Sequence, residues 1–150
     1  MSHSYVNNLV HCVFSTKERK PLIGTDLQKR LWAFLSSVAI ERGMTVVAVG
    51  GMEDHVHILV AVPATMALAK AVQSLKGVSS KWIHDEFPEQ RQFAWQAGYG
   101  AFSVSRSRLD ATAAYIRNQR EHHRSKSFEQ EFVLLLEKHG IEFDPKYVFG

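Results

Sequence analysis

The chain has 150 residues, 45% of them hydrophobic and 22% charged, which indicates one globular domain over residues 1–150 and excludes a fibrous or disordered chain. The formal net charge is only +3, so charge alone excludes no class of partner. Cys12 is the single cysteine, and the sequence contains neither a signal-peptide pattern nor a bilayer-spanning apolar run; we therefore expect a cytoplasmic protein with no disulfide and no membrane partner.

Apolar periodicity predicts five elements in the first part of the chain. Runs rich in β-branched and aromatic residues indicate strands, and apolar residues at 3.6-residue spacing indicate helices. Thr25 and Gln28 form a capping-box pattern at a helix start, and Gly50 and Gly51 predict a hairpin turn. The predicted elements are a strand at 9–14, a helix at 25–43, strands at 45–49 and 55–62, and a helix at 66–87.

The second part of the chain completes a known arrangement. Short strands are predicted at 93–95 and 99–104, and helices at about 109–123 and about 128–139. The order is that of an α+β fold, a ferredoxin-like split βαβ antiparallel sheet with two additional C-terminal helices. The core spans about residues 5–105. Because this architecture hosts many activities, function has to be argued from individual side chains.

Two histidines share one face of the third predicted strand. Side chains alternate along a strand, so His55 and His57 point to one side while Val56 and Ile58 point to the core. Two imidazoles side by side on a rigid strand are suited to bind a metal ion. The alternative is a pair of half-buried strand histidines without a metal, and the spacing alone leaves both open.

A tyrosine and a glutamine share one face of the helix predicted at about 109–123. Tyr115 and Gln119 lie four residues apart, which places them one turn apart. Most helical tyrosines are core or interface residues, and that alternative stays open. A basic surrounding favours a hydroxyl that attacks a phosphate, because nearby cations ease the loss of its proton. The surrounding basic residues are Arg108, Arg117, Arg120 and Arg124.

Basic residues are concentrated in two segments. Between residues 101 and 126, six basic residues stand against two acidic ones, and Lys17, Arg19 and Lys20 form a second cluster. Such clusters are typical of surfaces that bind polyanions. The alternative for either cluster is a solvated surface of ordinary charge.

Four segments, spread over nearly the whole chain, together carry a family resemblance. They are VFSTKERKPLI at 13–23, HVH at 55–57 after Glu53 and Asp54, GYGAFSVS at 98–105, and YIRNQ at 115–119. In this order the chain resembles the single-tyrosine transposases of the HUH superfamily, both TnpA-like insertion-sequence transposases and REP-associated tyrosine transposases. The HVH triplet alone is a weak signal, whereas its combination with Tyr115 and Gln119 is specific.

The resemblance implies a metal-dependent transposase of single-stranded DNA. It implies that His55, His57 and Gln119 bind a divalent ion, Mg²⁺ or Mn²⁺, and that Tyr115 is the nucleophile. In the family the tyrosine forms a 5′-phosphotyrosine and releases a 3′-hydroxyl, and the covalent bond conserves the energy for rejoining. Because imidazoles suit softer ions than Mg²⁺, we expect Mn²⁺ to bind at least as tightly.

The resemblance also implies two kinds of partner. One is a second copy of the chain, in a homodimer whose sheets join edge to edge. In the family the tyrosine helix often lies in the partner's active site, and the sequence leaves its placement in cis or in trans open. The other is single-stranded DNA with a hairpin-containing end, whose backbone a basic groove would suit. The predicted DNA-binding residues are Lys17, Arg19, Lys20, Lys76, Lys81, Arg106 and Arg108.

Three other histidines and the three tryptophans are assigned lesser roles than His55 and His57. His122 and His123 are interpreted as surface residues, because they follow Gln119 too closely to complete the same site easily. His11 is predicted to line the site if the first and third strands are neighbours. The tryptophans are assigned to the core rather than to base stacking; they are Trp32, Trp82 and Trp95.

Two other functions remain open at this point. The first is a non-catalytic single-stranded nucleic-acid-binding protein on the same fold, for which the hydroxyl of Tyr115 has no role in DNA processing. The second is a metallohydrolase that uses His55 and His57 to activate water, which predicts cleavage without a covalent protein–DNA adduct.

Overall fold

The structure, a computed structural model, describes residues 3–149. Its elements in chain order are β1 (Leu9–Ser15), α1 (Thr25–Glu41), β2 (Thr45–Met52), β3 (His55–Ala61), α2 (Leu68–Glu86), β4 (Gly100–Val104), α3 (Leu109–Arg117), α4 (Gln119–His122) and α5 (Phe128–Lys138). Short 3₁₀ turns lie at Lys17–Arg19, Pro88–Gln90 and Arg106–Arg108. Among the helices of residues 3–149, none combines the length and apolar character that crossing a bilayer requires.

The four strands form one sheet in the order β2-β3-β1-β4, and every neighbouring pair is antiparallel. This order confirms the predicted α+β, ferredoxin-like fold. The two central strands are β1 and β3, where His11 pairs with Leu59 and Val13 pairs with His57. Because directly paired residues point to the same face of a sheet, His11 joins the two histidines of β3 on one face.

The main core lies on the other face of the sheet, under α1 and α2. Alternate residues of the two central strands point into it, including Cys12, Phe14 and Ile58, as the period-two pattern predicts. The tryptophans confirm their assignment to the core, since one is buried there and two pack against it. They are Trp95, and Trp32 and Trp82.

The site face of the sheet, the face that carries His55 and His57, is covered by α3 and α5. Beneath α3, an apolar cluster includes Leu59 and Ile116. Beneath α5, a second cluster is formed by Val13, Phe102, Phe128, Phe132 and Leu136. His11 pairs across the strands with Leu59 of the first cluster, and His57 pairs with Val13 of the second. The two imidazoles are therefore buried between the two apolar clusters.

Two predicted features of the first half are wrong. The N-cap of α1 is Gly24 and not Thr25, which is already helical; the Gln28 side chain donates instead to the Ile23 carbonyl at 3.1 Å. Gly50 and Gly51 do not form the hairpin turn, because β2 continues to Met52. The strand is therefore longer than the apolar run that predicted it.

Two further differences lie near the end of the sheet and beyond it. Segment 93–95 is not a strand, since only Trp95 pairs, in an isolated bridge with Thr16. The helix predicted at about 109–123 is broken at Asn118, whose φ of −103° and ψ of 32° depart from helical values. Gln119 therefore begins a separate short helix, while α2 continues through Gly77 without a break.

The start of α5 is fixed by a capping box. The Ser127 hydroxyl accepts from the Gln130 backbone N–H, and the Gln130 side chain accepts from the Ser127 backbone N–H. These bonds satisfy donors that a helix start would leave free. They also set the phase of α5, so that Phe128 and Phe132, one turn apart, both face the sheet.

Gly50 permits the close approach of α3 to β2. A Cβ atom at this position would lie 2.2 Å from the backbone carbonyl oxygen of Ile116, so the helix that carries Tyr115 would have to move. We expect Gly50→Ala to lower the free energy of unfolding by about 1–3 kcal/mol, as measured by urea denaturation.

Gly77→Ala is the matched control for this substitution. Gly77 lies inside α2, where an added Cβ meets nothing within 4 Å. Since alanine favours the helix over glycine, this variant should be more stable than the wild type by roughly 0.5–1 kcal/mol. Equal stability of the Gly50→Ala and wild-type proteins would contradict the close approach.

Candidate active site

Two imidazoles of β3 lie on the site face, as their alternation predicts. His55 and His57 both have 0% exposure, because α3, α4 and α5 enclose this part of the sheet. They are therefore fully buried rather than half-buried, and each ring nitrogen needs a partner within the protein. The pair is held on two residues of a central strand, which restricts its motion.

The Nδ1 atom of each imidazole has a partner on the side away from the other ligands. His55 Nδ1 donates to Asp54 Oδ1 at 2.7 Å, and His57 Nδ1 lies 2.7 Å from His11 Nε2. His11 is buried next to the pair, which confirms that it lines the site. Contacts of this kind fix the ring orientation of metal-binding histidines, and here they leave both Nε2 atoms directed to the same space.

Gln119 and His123 reach that space from α4 and its C-terminal end. Gln119 Oε1 lies 2.9 Å from His55 Nε2 and 3.0 Å from His123 Nε2. His123 Nδ1 donates to the Lys126 carbonyl at 2.7 Å, which turns its Nε2 atom inward. The side chain of His123 is only 7% exposed, so its interpretation as a surface residue is wrong.

A carboxylate, Glu131, enters the site from α5. Its Oε1 atom lies 3.0 Å from His57 Nε2, 3.5 Å from His55 Nε2 and 3.2 Å from His123 Nε2. Its Oε2 atom accepts a hydrogen bond from the Tyr115 hydroxyl. Burial by itself would raise the pKa of Glu131, but the hydrogen bonds from His123, His57 and Tyr115 hold it well below its usual value.

Tyr115 is half-buried at the edge of this group. Its ring centroid lies 5.9 Å from that of His57 and 4.4 Å from that of His122, a half-buried residue rather than a freely exposed one. Burial raises the pKa of Tyr115 well above its usual value, and the charge of Glu131 and their hydrogen bond raise it further. The neutral phenol is therefore favoured beside an ionised Glu131.

The buried group of His55, His57 and Glu131 can hold a metal ion. One ligand atom from each residue lies within 4.8 Å of the others, and the amide oxygen of Gln119 lies beside them. Imidazole nitrogens with carboxylate and amide oxygens are a donor set that divalent ions such as Mn²⁺ accept. The structure thus brings together the predicted residues Tyr115, His55, His57 and Gln119, whose individual roles stay predictions.

A cavity of about 510 Å³ opens beside Tyr115. Glu131 and His123 form part of its wall, together with polar side chains of the residues that precede α3. The volume lies in the range of small-molecule and cofactor sites. Its wall is also basic, since it contains Arg108, Lys126 and Lys138.

The predicted DNA-binding residues near the site differ in what they contact. Arg106 and Arg108 are exposed in the turn before α3, and Lys17 and Lys20 are exposed in the turn after β1. Arg19 is half-buried: its Nε atom lies 3.6 Å from a Glu129 carboxylate oxygen, and its guanidinium lies 5.0 Å from the Phe149 ring centroid. All five stay predicted DNA contacts.

The other two predicted DNA-binding residues lie on α2, whose layer covers the face of the sheet away from Tyr115. Lys76 Nζ donates to the carbonyls of Gln96 and Gly98 at 2.6 and 2.9 Å. Lys81 Nζ donates to Asp85 Oδ2 at 2.7 Å on the exposed surface. Both residues have partners within the protein, and their contact with DNA stays a prediction.

The sequence matches the family described as "Transposase IS200 like" over residues 4–119. The matched part is most of the chain and contains His55, His57, Tyr115 and Gln119. The chain belongs to the IS200-like transposase family. The resemblance inferred from the HVH and YIRNQ segments is thereby confirmed.

Individual transposases show the same relationship. The chain is 24% identical over 116 residues to the ISDra2 transposase TnpA of Deinococcus radiodurans, covering 74% of this chain and 83% of that protein. It is 24% identical over 127 residues to the transposase for insertion sequence element IS200 of Salmonella typhimurium, covering 81% of this chain and 82% of that protein.

Two solved structures resemble this transposase. A candidate transposase from Deinococcus radiodurans R1 has a TM-score of 0.65 and 26% identity, covering 79% of this chain and 96% of that one. A REP-associated tyrosine transposase, bound to a REP hairpin, has a TM-score of 0.56 and 13% identity, covering 77% of this chain and 68% of that one. Because the identity to the REP-associated transposase is only 13%, that likeness shows the fold alone.

Two residues of the site, His123 and Glu131, were not predicted from the sequence. Both lie beyond the matched residues 4–119. Glu131 carries a signal, because it follows Phe128 by three residues on the apolar face of α5, where a carboxylate is rarely buried without a partner. His123 carries none, since its position depends on the break at Asn118 and on the turn into α5.

His11 should make the stability of the metal-free protein depend on pH. Burial, followed by the charge of His57, lowers the pKa of His11 from 6.5 to about 3. The unfolded chain therefore binds a proton at a pH where the folded chain does not, and stability is lost as the pH falls from 6.5 towards 3. From about pH 7.5 to about pH 5 this group alone should cost about 2 kcal/mol.

The measurement is urea unfolding at both pH values in the presence of EDTA. His11→Gln, which keeps a side chain able to hydrogen-bond to His57, should remove about 2 kcal/mol of the pH dependence. His3→Gln, a change at an exposed position, should retain the wild-type dependence. Equal pH dependence in the wild type and His11→Gln would show that His11 is not buried as a neutral imidazole.

Proposed function

We propose that this transposase cleaves and rejoins single-stranded DNA through a covalent 5′-phosphotyrosine formed by Tyr115. The observation that carries the proposal is that Tyr115, His57 and Glu131 are in contact within one chain. A phosphoryl transfer needs a nucleophile and a compensating positive charge at the same phosphate. A nucleic-acid-binding protein or a metallohydrolase has no need of a tyrosine hydroxyl at the metal-binding group.

Cleavage forms one bond and breaks another. The Tyr115 hydroxyl oxygen attacks phosphorus and gives up its proton, and the bond between phosphorus and O3′ breaks with its electron pair on O3′. O3′ takes up a proton, which leaves a 5′-phosphotyrosine and a free 3′-hydroxyl. In rejoining, a 3′-hydroxyl attacks this phosphorus and the tyrosine leaves as a phenol. The bond energy is conserved throughout, so no nucleotide cofactor is needed.

His55, His57 and Gln119 are the proposed protein ligands of a divalent ion, with Glu131 as an additional oxygen donor. When bound, the ion supplies positive charge that polarises the scissile phosphate. Asp54 orients the imidazole of His55 from behind. We propose Mg²⁺ or Mn²⁺, with Mn²⁺ bound at least as tightly because imidazole nitrogens suit it better.

The proposed substrate is a single strand with a hairpin-containing end. Support comes from the structural neighbour that is bound to a REP hairpin and from the basic wall of the cavity beside Tyr115. Arg106 and Arg108 are the proposed backbone contacts nearest the nucleophile. Lys17, Arg19 and Lys20 are proposed to extend that surface, and Lys76 and Lys81 remain more distant proposed contacts.

We also propose a homodimer joined at the sheet edges. The strands available for such pairing are β2 and β4, the edge strands of the sheet. Placement of the tyrosine helix in the site of its own chain is the proposed arrangement, supported by the contact of Tyr115 with Glu131 and its packing beside His57. In this proposal, each subunit completes its site without exchange of helices.

A covalent adduct is the decisive observation for this function. We expect wild-type protein, mixed with hairpin-bearing single-stranded DNA and Mn²⁺, to give an adduct that resists SDS and maps to Tyr115 by mass spectrometry. Tyr115→Phe should give none, because it lacks the attacking oxygen. His57→Ala and addition of EDTA should each reduce adduct formation by about 10²-fold or more.

The other outcomes identify the rival functions. Cleavage without an adduct would indicate a metallohydrolase. DNA binding that is equal in the wild type and Tyr115→Phe, with no processing by either, would indicate a non-catalytic binding protein. An adduct at another residue would refute the assignment of Tyr115.

Arg108 should contribute to DNA binding by neutralising a phosphate. It is exposed and forms part of the cavity wall beside Tyr115. Arg108→Ala should reduce the slope of log affinity against log salt by about 0.7 for each phosphate that the arginine neutralises, measured by fluorescence anisotropy of a labelled single strand. Arg42→Ala removes the same charge next to α1, in the layer away from Tyr115, and should leave the slope unchanged; equal effects would place the DNA elsewhere.

A further inference from the structure

Glu131 faces the nucleophile and the imidazole pair at the same time. It is 4% exposed, and its two oxygen atoms have different partners. Oε1 faces the imidazoles, with His57 Nε2 at 3.0 Å, whereas Oε2 accepts from the Tyr115 hydroxyl. The carboxylate therefore connects the attacking atom to the group that can hold the metal ion.

Glu131 is a buried carboxylate whose compensating partners all belong to the site. A buried carboxylate loses its hydration and must be compensated by hydrogen bonds. All of its side-chain partners in the described structure belong to the site, and none is a residue that only stabilises the fold. It also lies outside residues 4–119, the part matched to the family, so its role does not follow from that match.

The docking of α5 holds the carboxylate in this position. Phe128, three residues earlier, and Phe132, the next residue, pack into the apolar cluster with Val13 and Phe102. Phe128 also stacks on His55, with ring centroids 4.6 Å apart. Since the capping box fixes the start of the same helix, Glu131 has little freedom to leave the Tyr115 hydroxyl.

We propose that Glu131 is a catalytic residue that accepts the proton of Tyr115 late in the attack, when bonding to phosphorus has made the phenol a much stronger acid than the free side chain and an ionised carboxylate can take the proton up. The inference rests on the proposed function. In cleavage the proton moves from the Tyr115 oxygen to Glu131 Oε2, the new bond joins that oxygen to phosphorus, and O3′ leaves with its electron pair and takes a proton from solvent. In rejoining the steps reverse: the 3′-hydroxyl returns its proton to solvent, and Glu131 returns one to the departing phenol.

Glu131→Gln tests this role, because glutamine keeps the size and a hydrogen-bond acceptor but cannot take up the proton. The readouts are Mn²⁺ affinity by titration calorimetry without DNA, and the single-turnover rate of adduct formation on a hairpin-bearing single strand at saturating Mn²⁺. Proton acceptance by a positioned side chain contributes about 10²–10⁴-fold. We expect a rate loss of that size that no excess of Mn²⁺ restores.

Two further variants separate the catalytic role from a structural one. Glu131→Asp keeps a carboxylate and should regain part of the rate that Glu131→Gln loses, which also covers the case in which the glutamine variant folds poorly. Glu137→Gln makes the same chemical change at an exposed position of α5 and should react at the wild-type rate. A fluorinated, more acidic tyrosine at position 115 should reduce the difference between wild type and Glu131→Gln.

Distinct results overturn the inference and the proposed function. If excess Mn²⁺ restores the Glu131→Gln rate, or if that variant reacts at the wild-type rate, Glu131 is not the proton acceptor, while the phosphotyrosine mechanism stands. If Glu131→Asp is as slow as Glu131→Gln although both bind Mn²⁺ normally, the carboxylate is not the essential feature. A wild type that forms no adduct overturns both proposals.

Discussion

Polar side chains that lose water inside a protein have to recover their hydrogen bonds from other protein groups, and this requirement organises the site face of the sheet. His55 and His57 are fully buried, and within residues 3–149 every buried side-chain nitrogen and oxygen has a partner. For these two imidazoles the partners include Gln119 and Glu131, which α4 and α5 supply. The C-terminal helices are therefore part of the site. Their packing against the sheet supplies the partners that fix the orientation of the two imidazoles.

The features that could be predicted from the sequence are those that follow from local periodicity. Alternation along β3 places His55 and His57 on one face whatever else the chain does. A spacing of four residues brings Tyr115 and Gln119 to the same side of the chain, even though Asn118 breaks the helix between them. The strand order then brings β1 beside β3, so that the position of His11 follows from the fold prediction and the same alternation.

The rest of the site depends on tertiary contacts that periodicity does not contain. Glu131 reaches His57 because the chain turns back after α4 and because Phe132, next to Glu131, packs against the sheet. The direction in which the chain turns back depends on the break at Asn118 and on the Ser127 capping box. Both are local features, but together they decide where the whole of α5 lies. Gly50 is a similar case: its role becomes visible only when the carbonyl of Ile116 is seen against it.

The charge of Glu131 has two opposing effects on Tyr115, the proposed nucleophile, and both bear on the fact that one carboxylate contacts the tyrosine and the group that can hold a cation. As a hydrogen-bond acceptor, Glu131 orients the hydroxyl; as a buried anion, it raises the pKa of Tyr115 and disfavours the phenolate. A cation held by His55, His57 and Oε1 would offset that negative charge and reverse the electrostatic effect on the phenol. In the proposed mechanism, positive charge would then act at the carboxylate as well as at the phosphate. In the proposed mechanism, such a site would keep Tyr115 neutral until the cation is bound, which would couple activation of the tyrosine to assembly of the complete centre.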